Sequence, residues 1–118
     1  MQSVILISES QIDFAQIEIQ WKNKSISTNN IGSRFVIEIE NGRIYLDLIK
    51  DGLSEYDDEE LDNLAMSNYN FCSISYTDGA ALKSFILGTL FSNKVFIDDD
   101  NGNIVPYLEF ASHLGILR

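Results

Sequence analysis

The chain has 118 residues and ten net negative charges, with eighteen Asp and Glu against eight Lys and Arg, and 45% of its residues are hydrophobic. That length suits one domain over residues 1–118 with a single core, and the composition is that of a folded chain, not a disordered one. Charge of this size repels phosphate backbones and anionic lipid, so nucleic acid and membrane are disfavoured as partners and basic proteins are favoured.

The single cysteine, Cys72, excludes an internal disulfide and a multi-cysteine metal site. No signal-like leader and no apolar run of membrane-spanning length is present, which makes the cytoplasm the default location. In chain order, Val4-Ile5-Leu6-Ile7 between Ser3 and Ser8 has the continuous apolar character of a central strand, predicted over 2–8. Ser10 is a candidate cap for a helix over about 10–20, with Asp13 near its first turn and Ile12, Ala15 and Ile19 at helical spacing. Residues 17–21 alternate and fit a strand equally; Trp21, the one tryptophan, reads as a packing residue. Residues 22–33 are polar, with Asn29-Asn30 and Gly32, and read as a loop.

Residues 34–49 alternate on both sides of Asn41-Gly42 and predict a hairpin with strands at 34–40 and 43–49. Asn-Gly predicts a type I′ turn, with positive φ at both central residues. A two-residue loop there pairs Glu40 with Arg43, Ile39 with Ile44, Glu38 with Tyr45 and Ile37 with Leu46. Phe35, Ile37, Ile39, Ile44, Leu46 and Leu48 then share a core face, and Val36, Glu38, Glu40, Arg43, Tyr45 and Asp47 share the other.

Between 51 and 62 there are seven acidic residues and no basic one. Ser54 or Asp57 caps a predicted helix over about 57–64, with Leu61 and Leu64 as its apolar foot and acids against its N-terminal dipole. Such a segment is either a solvated face that serves solubility or a patch offered to a basic partner. A strand at 71–76 follows, then a helix over 79–91 capped by Thr77 or Asp78. Leu82, Phe85, Ile86 and Leu90 form its stripe, which Ala81, Leu87 and Phe91 widen, so it is either deeply buried or meets another chain. With the strand at 94–98 it makes a segment the size of a βαβ unit, a crossover that is nearly always right-handed. Pro106 sits early in a last helix over about 106–114, with Tyr107, Phe110, Ala111 and Leu114 as its apolar side and Gly115 at its stop.

Candidate chemistry is thin. A calcium loop starting at Asp98 places Asp100, Val105 and Glu109 well, but it reverses Gly102 and Asn103; starting one residue earlier puts Ile97 and Leu108 at ligand positions. No metal and no cofactor is therefore expected. His113 has no nucleophile elbow to serve, Cys72 lies in an apolar strand, and the glycines form no phosphate loop. The chain reads as a non-enzyme.

The order of features carries a resemblance: the apolar first strand, Asn41-Gly42-Arg43-Ile44-Tyr45, the acidic helix, the strand and helix over 71–91, then Val95-Phe96-Ile97-Asp98-Asp99-Asp100-Asn101-Gly102 with Glu109-Phe110. This layout resembles the small acidic immunity proteins encoded beside bacterial polymorphic toxins, including those of contact-dependent growth inhibition. The resemblance implies neutralisation of a cognate toxin domain, often a nuclease, by binding at or near its active site, and it carries over no residue by position. Basic, phosphate-holding toxins fit an acidic inhibitor by charge. The contact candidates are Asp57, Asp58, Glu59 and Glu60, then Asp98, Asp99 and Asp100, then the hairpin face with Glu38, Tyr45 and Asp47. Two other classes stay open: an adaptor or structural domain whose acidity serves solubility, and a small-molecule binder or enzyme with an unrecognised pocket. The expected fold is a single α/β (α+β) domain, a mixed sheet of about five strands around the hairpin with helices packed on it.

Overall fold

A computed structural model describes residues 2–91, 94–99 and 103–115. The strands are β1 (Gln2–Ser8), β2 (Ser27–Ile31), β3 (Arg34–Ile39), β4 (Gly42–Ile49), β5 (Asn70–Tyr76), β6 (Val95–Asp98) and β7 (Ile104–Pro106). The helices are α1 (Phe14–Trp21), α2 (Asp58–Asp62), α3 (Gly79–Gly88) and α4 (Tyr107–Gly115), with a 3-10 turn at Gly52–Glu55. Among the described residues the strands form one sheet, ordered β2-β3-β4-β5-β1-β6-β7. Every neighbouring pair is antiparallel, so the expected mixed sheet of about five strands is in fact a larger, antiparallel one of seven. The fold is α+β.

Both extra strands lie at the sheet's edges. Strand β2 is Ser-Thr-Asn-Asn-Ile and buries neither face, so it lacks the alternation that marks a strand. Strand β7 is three residues long and ends on Pro106, which therefore precedes α4 instead of opening it. The strand–helix–strand unit of 71–97 is split: β5 and β6 each pair antiparallel with β1, run in the same direction, and hold β1 between them.

One face of the sheet is covered by α1, α3 and α4. Phe35, Ile37, Ile44, Leu46 and Ile74 meet Phe14, Ile17, Trp21, Leu82, Phe85 and Ile86 there, and these sheet residues are all but inaccessible. Each such side chain contributes roughly 1.5–3 kcal/mol of burial. Phe14 stacks on Phe35 with ring centroids 5.5 Å apart, and Trp21 stacks on Phe85 at 6.1 Å. Helix α1 begins at Phe14 because Asp13, not Ser10, caps it, its carboxylate accepting from the Ala15 N–H at 2.9 Å. Asp78 caps α3 in the same way, accepting from the Ala80 N–H at 2.7 Å.

Helix α3 stops at Gly88, short of the predicted 91, because α1 and the turn after it supply other partners. Trp21 Nε1 donates to Thr89 Oγ1 (2.7 Å), Lys24 Nζ donates to the Gly88 carbonyl (2.6 Å), and the Gln20 amide brackets Leu90 through its N–H and carbonyl. Leu82, Phe85 and Ile86 are buried as predicted, while Leu87 and Leu90 face outward.

The hairpin keeps its predicted faces but not its predicted register. Ile37 pairs with Ile44, Val36 with Tyr45 and Arg34 with Asp47, a shift of two residues, which moves partners without turning any side chain over. No type I′ turn forms: Asn41 has negative φ, and Gly42 alone of the two is positive, at +146°. Gly42 serves a close approach. A Cβ on it would stand 2.5 Å from Thr77 Oγ1, and Thr77 ties the start of β4 to the β5–α3 corner through the Arg43 N–H and carbonyl. Gly42→Ala is expected to lower stability by about 2 kcal/mol, through overpacking and a strained φ, as measured by urea denaturation.

Candidate partner-binding surface

The second face of the sheet is covered over only part of its width. Leu61, Leu64 and Met66 from the segment between β4 and β5 pack there on Ile7 and Phe71, with Ile5, Ile49 and Phe96 at the margin. Gly52 lets this lobe lie flat, since a Cβ on it would fall 2.4 Å from the Phe71 ring. Helix α2 has five residues, too few to stand alone, and holds because its start is capped from both sides. Asp57 Oδ1 accepts from the Glu60 N–H (2.8 Å), and Glu60 Oε1 accepts from the Asp57 N–H (3.1 Å), a capping box that sequence inspection reads off Asp-x-x-Glu. The chain leaves α2 through Ala65 at φ +54°, whose carbonyl accepts from Lys94 Nζ at 3.0 Å.

Asp57, Asp58, Glu59 and Glu60 are all exposed, and among the described residues none of them is paired with Lys or Arg. Asp57 and Glu60 hold backbone N–H groups, while Asp58 and Glu59 stand in the first turn of α2, against its N-terminal dipole, with their charge exposed.

Tyr56 joins the second set of acids to the first. Its ring stacks on Phe71 (5.4 Å), and its hydroxyl donates to Asp98 Oδ2 at 2.6 Å. The end of β6 thus sits one tyrosine side chain from the start of α2, across 42 positions of sequence. Asp99 bonds Asn103, its carboxylate accepting from the Asn103 N–H and side-chain amide. Asp100 lies outside the described residues. Among the described residues of the segment read against a calcium loop, β6 and β7 pair antiparallel, with Asp98 opposite Ile104 and Ile97 opposite Val105, and Glu109 lies on α4. Tyr56 was not singled out from sequence; the available signal was an aromatic just before the cap with Leu61 five positions on, the spacing of a hydrophobic staple.

The hairpin candidates are placed apart and are electrically different. Asp47 stands three strands from Asp98, roughly 14 Å by strand spacing. Arg34 grips Asp47 with both ends of its fork (Nε–Oδ1 2.7 Å, Nη2–Oδ2 3.1 Å) and lies 5.5 Å from the centre of the Tyr45 ring. The Asp47 hydrogen bond and charge raise the pKa of Arg34. Arg43 stands 3.8 Å from Glu38. Glu38, Tyr45 and Asp47 therefore share a face with two arginines, and its charge cancels.

Among the described residues no three His, Cys, Asp or Glu side chains converge to hold a metal. Four clefts of about 210 to 620 Å³ are each bordered by at most one carboxylate and by neither cysteine nor histidine. Cys72 is buried, and burial pushes its thiol up to about 12. The side chain of His113 lies outside the described residues. No helix among the described residues is long and apolar enough to cross a membrane. No family model matches the chain, and comparisons with curated proteins and with solved structures return no match.

Two outcomes follow from this geometry. Tyr56→Phe should cost about 1–2 kcal/mol in urea denaturation, the worth of a hydrogen bond to a charged acceptor in a half-buried setting. Cys72 should resist iodoacetamide at pH 8 in the folded chain and react on unfolding. Its folded thiol keeps a proton that the unfolded chain surrenders above pH 9, so its contribution to stability is full below pH 9 and declines from there toward 12.

Proposed function

We propose that this chain is an immunity-type inhibitor that binds and neutralises a basic bacterial toxin domain, such as a nuclease, through the acidic surface of α2 and the end of β6. It acts by binding, transforms no substrate, needs no cofactor, and works in the cytoplasm of the cell that makes it. The observation that carries this reading is the distribution of charge. The lysines and arginines described in contacts serve other groups: Arg34 and Arg43 sit with the hairpin acids, and Lys24 and Lys94 cap carbonyls at the ends of α3 and α2. The carboxylates of α2 are left exposed on a lobe that two aromatic rings and a capping box hold in place. A field of that kind speeds encounter with a basic surface and repels phosphate and anionic lipid, so neither nucleic acid nor membrane is the partner.

The test uses Asp58→Lys with Glu59→Lys, which spares the cap residue Asp57. The wild-type chain is co-purified with the product of a toxin-like reading frame adjoining its gene, and association is followed by stopped flow. The expected result is association slowed by about ten- to a thousandfold at low salt, with the difference from wild type closing as salt rises. An adaptor whose acidity serves solubility would bind at a rate indifferent to both changes, and that result would sink the proposal.

A further inference from the structure

Two polar residues are buried among the described ones, Ser8 and Thr89. Thr89 Oγ1 accepts from the Trp21 indole at 2.7 Å. Ser8, at the end of β1, is 3% exposed, and its hydroxyl has no hydrogen-bond partner among the described residues. An unpaired buried hydroxyl costs stability unless a group from outside the chain pairs with it. The Tyr107 hydroxyl also lacks a partner, but it is sealed from solvent. Ser8 instead borders an open cleft of about 210 Å³ between the end of β1, the start of α1 and Leu90-Phe91. It lies on the helix-covered side of the sheet, opposite Val95 and two residues from Leu6.

Helix α1 builds the facing wall. Asp13, Gln16, Ile17 and Gln20 recur at i, i+3, i+4 and i+7, so one stripe of the helix and its cap lines the cleft. Both ends of that stripe are fixed. Asp13 holds the Ala15 N–H, and the Gln20 carboxamide donates to the Leu90 carbonyl (3.0 Å) and accepts from the Leu90 N–H (2.7 Å). The side chain of Gln16, between them, has no hydrogen-bond partner among the described residues. Ile12, Ile17, Leu90 and Phe91 supply the apolar part of the wall.

We propose that this cleft binds a small uncharged carboxamide, whose amide bonds Ser8 and Gln16 and whose apolar ring lies against Ile17 and Phe91. A carboxamide fits both free groups because each of them donates and accepts, and so does the ligand. Gln20 already makes an amide-to-amide pair of that kind with Leu90 in the same wall. Size agrees, since a cavity of about 150 Å³ holds benzene and this one leaves room for a polar substituent. Charge sets the ligand neutral. No Lys or Arg borders the cleft to hold an anion, and its one carboxylate, Asp13, is engaged against the positive end of α1, which opposes a cation. The cleft lies on the face of the sheet opposite the α2 lobe, so the inference stands apart from what the acidic surface binds.

The test is a titration of the full chain with benzamide, followed by backbone amide NMR, beside three ring compounds of similar size: benzoate, benzamidine and toluene. The expected result is benzamide-induced shifts centred on Ser8, Gln16 and Phe91, with affinity about tenfold or more above that for the anion, the cation and the hydrocarbon. Gln16→Ala and Ser8→Ala should each weaken benzamide about three- to tenfold, the worth of one hydrogen bond, and leave toluene unchanged. Circular dichroism checks the fold, and Gln16→Ala, at an exposed position, decides alone should Ser8→Ala disturb it. Leu108→Gln, outside the cleft, should bind benzamide as wild type does. No shift up to the solubility limit of benzamide (a cleft that holds water only), equal binding of any comparison compound, an unchanged affinity in Gln16→Ala, or lost binding in Leu108→Gln would each overturn the inference.

Discussion

Unequal cover of the sheet governs this structure. The strands β1, β5 and β6 have packing against both faces, by the three helices on one side and the α2 lobe on the other, while β3 and most of β4 are covered on one side alone. Where a strand is buried on both sides its run is apolar, which is why Val4-Ile5-Leu6-Ile7 and Phe71-Cys72 read as they do. A strand buried once alternates, which is why 34–49 reads as a hairpin. The strand buried on neither face, β2, has no apolar pattern at all.

The same inequality decides where charge stands. On the open half, acids and bases are interleaved across neighbouring strands, so Arg34 meets Asp47 and Arg43 meets Glu38. Exposed pairs of this kind add little stability, but they remove local field. On the covered half, the lobe carries carboxylates outward above an apolar foot of Leu61, Leu64 and Met66. Its lysine, Lys94, is spent on a carbonyl at the exit of α2 and not on a carboxylate. The chain's acidity is thus concentrated at one end of the sheet and balanced at the other.

That separation gives the molecule two surfaces of different character. The acidic end has long-range electrostatic reach and a scaffold fixed by Tyr56, Phe71 and Asp98. The β2 end has little field and an exposed edge strand with isoleucines beside it. The first favours fast encounter with an oppositely charged protein; the second has no such reach.

Local pattern was enough to place five of the strands, the helices after 57, 79 and 106 to within a few residues, and the core faces of the hairpin, because period and capping chemistry are written in neighbouring residues; it offered two cap candidates each for α2 and α3, of which Asp57 and Asp78 serve, and left 17–21 open between helix and strand. It misplaced what depends on distant contacts. The hairpin register moved by two because Gly42 answers to Thr77 across the sheet, not to the turn. Helix α3 ended early because Gln20, Trp21 and Lys24, more than sixty residues away, took its last groups. The acids at 57–60 and at 98 were visible separately; that the start of α2 and the end of β6 are neighbours came only from the Tyr56 hydroxyl reaching Asp98. Alternation and caps are properties of a few adjacent residues, whereas strand order, register and shared surfaces arise only when the chain closes on itself and packing selects among locally equivalent choices.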